Sequence, residues 1–255
     1  MIDAVRSEWT KTWTTRSTWF TLAAIVGLGV LFAVLFGHAA ATEYARMSAA
    51  DQAAYRPAPD FRPLIFVQIA VGYFGLRAFT VEHLTRTMAL TLTTVPRRGR
   101  VLAAKAVVCA ALTLAAGTVT GLIVVFAGRV VLASRHVPVN PLAEPGMLRA
   151  LAGPGLLLTL LGLIGLAIGC LVRSTAGAMV ITIVIGVFVP AMASLYPEWL
   201  ARLILSYWPI TAGLRFLSLD GDPDLPGPAA GLAVTCVWAA ILLAAAYAVF
   251  RRRDA

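Results

Sequence analysis

Leu151-Ala-Gly-Pro-Gly-Leu-Leu-Leu-Thr-Leu-Leu-Gly-Leu-Ile-Gly-Leu-Ala-Ile-Gly-Cys-Leu-Val172 contains no charged side chain. Coiled as a helix it reaches about 33 Å, enough to cross ~30 Å of hydrocarbon. A buried helix of a soluble protein rarely runs so long without a charge. Five further stretches of this kind flank it, at about 19–37, 64–81, 106–128, 175–195 and 229–250. The expected fold is an all-α integral membrane protein. A single transmembrane domain of six helices fills residues 1–255.

Composition agrees. The chain is 60% hydrophobic and 13% charged, with a mean hydropathy of +0.84. A soluble domain of this size needs far more polar surface. The net charge of +9 does not mark a nucleic-acid face, because the basic residues sit in short loops between spans. No nucleic-acid partner is expected. Cys109, Cys170 and Cys236 fall in three different spans, without the clustered spacing of a metal or redox site. They read as small packing residues.

Before the first span, Ile2, Val5, Trp9 and Trp13 recur at helical spacing, while Arg6, Lys11 and Arg16 lie away from the centre of that face. Residues 1–17 therefore read as an amphipathic helix lying in the membrane interface, Trp side toward lipid. The basic segment, the apolar run and Ala39-Ala40-Ala41 loosely resemble a cleavable signal peptide. The run from Trp19 is longer than a ~7–15-residue signal core. The first span is expected to be permanent.

Placing the N-terminus in the cytoplasm puts four segments inside: the N-terminal tail, 77–105, the turn at Arg173 and the C-terminal tail. They hold 13 of the 21 Lys and Arg residues and only 4 of the 12 Asp and Glu. All of the net positive charge is then on the inner side, concentrated at span ends where the positive-inside rule counts it. Both termini are expected to be cytoplasmic, in a cell membrane. The outer connections are rich in Pro and polar residues. The last of them, 197–219, mixes Trp199, Leu203, Tyr207 and Trp208 with Arg202 and Arg215 and is interrupted by Pro209. It reads as two short helices in or dipping into the outer interface before the sixth span.

The inner segment 80–105 is the most distinctive polar stretch. Glu82 and Arg86 are spaced as an i,i+4 ion pair, with Leu84, Met88 and Leu92 as an apolar stripe beside them. Pro96 is expected to stop the helix, leaving Arg97, Arg98 and Arg100 to meet headgroups or a protein partner. A plain solvated loop that obeys charge topology would look the same.

Several chemistries lack their residues. The chain has no G-x-x-x-x-G-K-[ST] loop, no G-x-G-x-x-G opening a helix, no H-E-x-x-H and no G-x-S-x-G. His38, His83 and His136 fall in separate loops, so no metal site is expected. No carboxylate lies inside a span, and Arg77 is near enough to a span end to snorkel. Energy coupling by the chain itself has no visible chemistry. Gly117 and Gly121 form one G-x-x-x-G pair, Gly165 and Gly169 another that Gly162 extends; such faces let helices approach, inside one chain or between two. Pro154 and Pro190 fall near span ends and can kink or stop helices there.

Three segments together carry a family resemblance: Ser7-Glu-Trp-Thr-Lys11 with Arg16-Ser-Thr-Trp19; Glu82 followed by Thr91-Leu-Thr-Thr-Val-Pro-Arg-Arg-Gly-Arg-Val-Leu-Ala-Ala-Lys105; and Val172-Arg-Ser-Thr-Ala-Gly-Ala178. Over essentially its whole length the chain resembles permease subunits of type-2 ABC exporters, most nearly their Ala- and Arg-rich actinobacterial form. The resemblance implies a bacterial plasma-membrane transport subunit without ATPase of its own. It implies a separate cytoplasmic ATP-binding subunit that carries ATP and Mg, and a second permease subunit, identical or different. It further implies that the N-terminal helix (Val5, Trp9, Lys11, Trp13, Arg16) and the inner loop (Glu82, Leu84, Arg86, Met88, Arg97, Arg98) receive the ATP-driven motion.

Spans lined by Leu, Val, Phe and small residues suit an amphipathic cargo such as a drug, antibiotic, peptide or lipid. Two other classes are weighed against this reading. A self-contained secondary carrier or channel would transport in liposomes without ATP. A lipid-modifying membrane enzyme would need clustered acids, for which Asp220, Asp222 and Asp224 are the sole candidate; their Gly-Pro setting reads as a turn.

Overall fold

A computed structural model of the chain describes residues 1–55, 58–85, 98–139, 141, 145–219 and 226–252. Among them every regular element is a helix: α1 Ile2–Thr14, α2 Arg16–Arg46, α3 Ala49–Ala54, α4 Pro63–Leu84, α5 Arg98–Ser134, α6 Met147–Val172, α7 Thr175–Ala191, α8 Glu198–Tyr207, α9 Pro209–Leu217 and α10 Pro228–Arg252. Five of these (α2, α4, α5, α6, α10) are long and apolar enough to cross a membrane, and α7 is a shorter apolar helix. A 3-10 turn, Ala193–Leu195, carries α7 to the boundary expected for the fifth span. The result is an all-α, multi-pass membrane fold.

The helices outrun the apolar stretches that announce them. α2 has 31 residues and α5 has 37, because the helical ladder keeps backbone groups satisfied past the edge of the hydrocarbon. At the other side of the inner segment the described helix also outruns its apolar stretch, and the expected stop at Pro96 lies outside the described residues. α4 ends at Leu84, and Thr85 caps it with its backbone N–H on the carbonyls of His83 and Val81.

α6 sits at the centre, with 67% of its membrane window buried against 22% for α2 and 17% for α10. Glycine explains how it gets there. A Cβ at Gly165 would overlap the carbonyl oxygen of Gly72, one at Gly169 that of Leu76, and one at Gly75 that of Gly162. α4 and α6 thus cross backbone on backbone. On its other flank α6 receives Gly117 of α5 against Leu158 and Gly155, and Gly121 against the ring of Pro154. Both G-x-x-x-G pairs therefore face helices of the same chain. Pro154 lies inside α6, which begins at Met147 rather than near 151.

Both described chain ends lie at one end of the bundle. Arg98 donates from Nη1 to the Phe250 carbonyl at 3.0 Å, and the Phe79 and Phe250 rings meet edge to face. At the opposite end α8 and α9 dip between the spans. Trp208, extended at φ −80 and ψ 142, breaks them before Pro209. Gly213 of α9 meets Leu157, roughly 15 Å along α6 from its start. Carbonyls at the end of α8 take bonds from side chains: Thr211 Oγ1 on Ile204 at 2.7 Å, Arg215 on Ser206, and Trp238 Nε1 on Tyr207 at 2.8 Å.

α7 has a π-helical segment at Val184–Phe188, followed by Pro190. The Val189 N–H bonds to Val184, which frees the Ile185 carbonyl, and Pro190 has no N–H for that of Gly186. Both are recovered in trans, by Trp208 Nε1 on Ile185 and Gln68 Nε2 on Gly186, each at 2.7 Å. In hydrocarbon an open carbonyl costs several kcal/mol, roughly what these two donors avert.

Replacing Gly165 by Val should cost about 3 kcal/mol or more, since the clash is with backbone that cannot repack. Gly27→Ala, where nothing lies within 4 Å, should be neutral or raise stability by up to ~1 kcal/mol. Thermal unfolding of both variants in detergent checks this, and equal midpoints would overturn the assignment of the crossing.

Candidate functional site

At the end of the bundle that holds the termini, α1, the end of α4 and the first turns of α5 converge on four ionised side chains. Lys105 Nζ lies 2.8 Å from Glu8 Oε2 and 2.8 Å from Glu82 Oε1. Lys11 Nζ lies 2.9 Å from Glu8 Oε1 and 3.1 Å from Glu82 Oε1. Two carboxylates and two ammonium groups thus alternate around one cluster. The Lys105 side chain is 3% exposed and also lies 5.5 Å from the centre of the Phe79 ring. The second oxygen of Glu82, Oε2, is buried with no hydrogen-bond partner among the described residues.

The N-terminal helix is built for this contact. Ala4 and Glu8 are its buried residues, one turn apart, and the small Ala4 lets α1 close on α5. Ile2 (82%), Trp9 (40%) and Trp13 (44%) are exposed on the other side. The Trp face is thus turned away from the bundle, the side an interfacial helix would offer to lipid. Val5 packs at the margin, against the cluster that includes Phe79, Leu102 and Phe250. Lys11, expected among the solvent- and headgroup-facing cations, is turned inward to Glu8 and Glu82 instead.

α1 joins α2 through a single extended residue, Thr15 (φ −84, ψ 117). Its hydroxyl donates to the Lys11 carbonyl at 2.6 Å. Trp19 Nε1 donates to the Trp13 carbonyl at 3.0 Å, and its ring meets that of Trp13 edge-on at 4.6 Å. Trp9 stacks on Trp13 in turn. These bonds meet carbonyls that the end of α1 leaves open, so the joint is braced.

Electrostatics favours the ionised cluster. Burial pushes the Glu8 carboxyl up, but the Lys105 and Lys11 ammonium groups outweigh it and hold it below its ordinary 4.5. Burial pushes Lys11 down, and Glu8 and Glu82 outweigh that to raise it above its ordinary 10.5. Buried ion pairs give little net stability over an apolar substitute, yet removing one partner is costly.

The residues singled out from sequence are thus only partly gathered here. Glu82 and Lys11 are in the cluster. Leu84 is 79% exposed at the end of α4, Arg16 is exposed at the start of α2, and Arg98 is half-buried against Phe250. Arg86, Met88 and Arg97 lie outside the described residues, as do Asp220, Asp222 and Asp224. Glu82 Oε1 takes its described bonds from Lys11 and Lys105, and the expected i,i+4 pair with Arg86 lies outside the described residues. Sequence reading missed Glu8 and Lys105 as members. A face of Ala4, Glu8 and Lys11 roughly opposite the tryptophans was the available signal, since an interfacial helix needs no carboxylate in its polar stripe.

Beneath the cluster a cavity of about 670 Å³ opens between α1, α2, α4 and α5, with Arg77 and several threonines in its wall. Among the described residues no group of three or more His, Cys, Asp or Glu side chains could hold a metal ion.

A family model described as ABC-2 family transporter protein matches residues 4–189. The match begins in α1 and runs through nearly all of α7, so it includes all four charged residues of the cluster. No curated protein matches the chain.

Lys105→Met should destabilise the fold by about 3 kcal/mol, leaving two buried carboxylates with one shared cation, while Lys105→Arg should lose less. Glu8, held low, contributes stability that is full above pH 4.5 and lost as pH falls through its depressed value. Lys11, held high, contributes stability that is full below pH 10.5 and lost as pH rises through its raised value. Docking of α1, followed by the fluorescence of Trp9, Trp13 and Trp19, should therefore be flat between about pH 5 and 10 and change outside it. A midpoint near neutrality would contradict this electrostatic assignment.

Proposed function

The chain belongs to the ABC-2 family of transporter proteins, and we propose that it is the membrane-spanning permease subunit of an ATP-driven exporter. In this reading it has no ATPase of its own. A separate cytoplasmic ATP-binding subunit holds ATP and Mg, and a second permease subunit, identical or different, completes the path. The chain sits in a bacterial cell membrane with both termini in the cytoplasm, where the excess of basic residues favours them.

The observation that carries the proposal is the alternating ion cluster. Glu82 lies just before the 86–97 segment and Lys105 just after its end, and both bind α1 through Glu8 and Lys11. A partner that pushes on that segment would move the end of α4 and the start of α5 together. The ion pairs would hand the motion to α1, and the braced joint at Thr15 would pass it to α2. α4 is locked to α6 by the glycine crossing, so the displacement would reach the centre of the bundle. In this reading Leu84, Arg86, Met88, Arg97 and Arg98 would touch the ATP-binding partner.

The cargo proposed is an amphipathic molecule such as a drug, antibiotic, peptide or lipid. The spans offer Leu, Val, Phe and small side chains and no intramembrane carboxylate, which suits a substrate moved by its apolar surface rather than by fixed counter-charge.

The purified chain alone should hydrolyse no ATP, and it should co-purify with a separate ATP-binding protein. In that complex Glu82→Ala leaves Lys105 paired with Glu8, so folding should persist while substrate-stimulated ATPase falls on the order of tenfold, the worth of one charge-assisted bond. Normal stimulation in the Glu82→Ala complex would remove Glu82 from the coupling path. ATP-independent transport by the chain in liposomes would sink the exporter reading itself.

A further inference from the structure

We propose that the cavity beneath the ion cluster is a binding site for a phosphate-bearing amphiphile, with Arg77 as the group that holds the phosphate. The cavity is about 670 Å³, within the ~300–1,000 Å³ of small-molecule sites. Five charged side chains line it: Glu8, Lys11, Arg77, Glu82 and Lys105. The two carboxylates are engaged by the two lysines. Arg77 is left without a carboxylate among the described residues. Nor does the 86–97 segment contain an Asp or Glu that could serve it.

The guanidinium of Arg77 is aimed rather than idle. It donates from Nη2 to the Ser17 hydroxyl of α2. Its Nη1 is buried with no hydrogen-bond partner among the described residues. α4 continues from Arg77 to Leu84, about 10 Å further toward the headgroups. The side chain instead turns across to α2, beside the cavity. A half-buried guanidinium whose buried Nη1 has no partner among the described residues is a costly arrangement unless an anion completes it. The planar fork of arginine matches phosphate geometry. Thr12, Thr15 and Thr18 add hydroxyls to the same wall, and Phe74, Val81 and Val108 supply an apolar floor. A charged head beside Arg77 with an apolar body on that floor is the shape of a glycerophospholipid. The inference is independent of ATP coupling, because binding is read on the chain alone.

The test measures binding to the full chain in a neutral detergent with three probes: dioctanoyl phosphatidylglycerol, dioctanoylglycerol and inorganic phosphate. Phosphatidylglycerol should bind saturably and raise the thermal midpoint. Dioctanoylglycerol, which lacks the phosphate, should bind at least about tenfold more weakly, as should phosphatidylglycerol to Arg77→Gln. Arg202→Gln, in an exposed pair with Glu198 far along the chain, should bind like the wild type. Should Arg77→Gln not fold, Arg77→Lys keeps the charge but not the fork and should lose affinity for phosphatidylglycerol while leaving dioctanoylglycerol unchanged. Phosphate competing as well as the lipid would support the anion site and make its source a soluble phosphate. Phosphatidylglycerol bound equally by the wild type and a folded Arg77→Gln variant, or no more tightly than dioctanoylglycerol, would overturn the proposal.

Discussion

Everything in this bundle depends on how closely α4 and α6 approach. In lipid, burying Leu against Leu gains little, since the acyl chains are as apolar as the side chains. What remains is close packing, and it strengthens steeply as backbones come together. Gly75 on α4 and Gly165 and Gly169 on α6 leave out the Cβ atoms that would strike the facing backbone. With that crossing set, α5 seats on the opposite flank through Gly117, Gly121 and Pro154, and α9 wedges in against Leu157 and Gly153. α2 and α10 keep most of their surface for lipid. A closely packed centre with an open periphery follows from glycine placement more than from hydrophobicity.

Against that apolar centre, the charged cluster stands at the margin where water is near enough to lower the cost of charge. An all-apolar substitute would hold α1 at least as firmly. What the ions provide instead is direction, because each lysine must bridge two carboxylates on different helices and a one-turn slip of α1 would separate them. Lys11 remains 47% exposed, whereas Lys105 is sealed. The sealed lysine fixes α5 to α1 and α4, and the accessible one closes the ring from outside.

The spans were legible because hydrocarbon forces length and apolarity on any helix that crosses it, and Leu151–Val172 meets both demands without a charge. Helix ends were less so: nothing in composition stops α5 at Ala106 when the ladder can continue to Arg98. The glycine pairs announced a close contact, but the identity of the partner helix is a tertiary fact. Glu82 stood out by its position, but two of its partners, Lys105 and Lys11, are separated from it by 23 and 71 residues. Local spacing displays i,i+3 and i,i+4 neighbours and hides such distant ones. Gln68 went unmarked for the same reason. Its value lies in a carbonyl that Pro190 leaves open 118 residues after Gln68 itself.

The π segment of α7 holds one residue more per turn than the helix around it. In phase terms that surplus turns whatever follows by about 100° relative to an uninterrupted α-helix. Residues after Phe188 therefore present a different face from the one the Thr175–Ile183 stripe would predict. Trp208 and Gln68 grip the carbonyls at the offset, from α9's threshold on one side and from α4 on the other. Deleting a single residue in Val184–Phe188 would restore a regular ladder and rotate the far end of α7 out of register with both grips. The fold thus tolerates changes of side chain there better than changes of length.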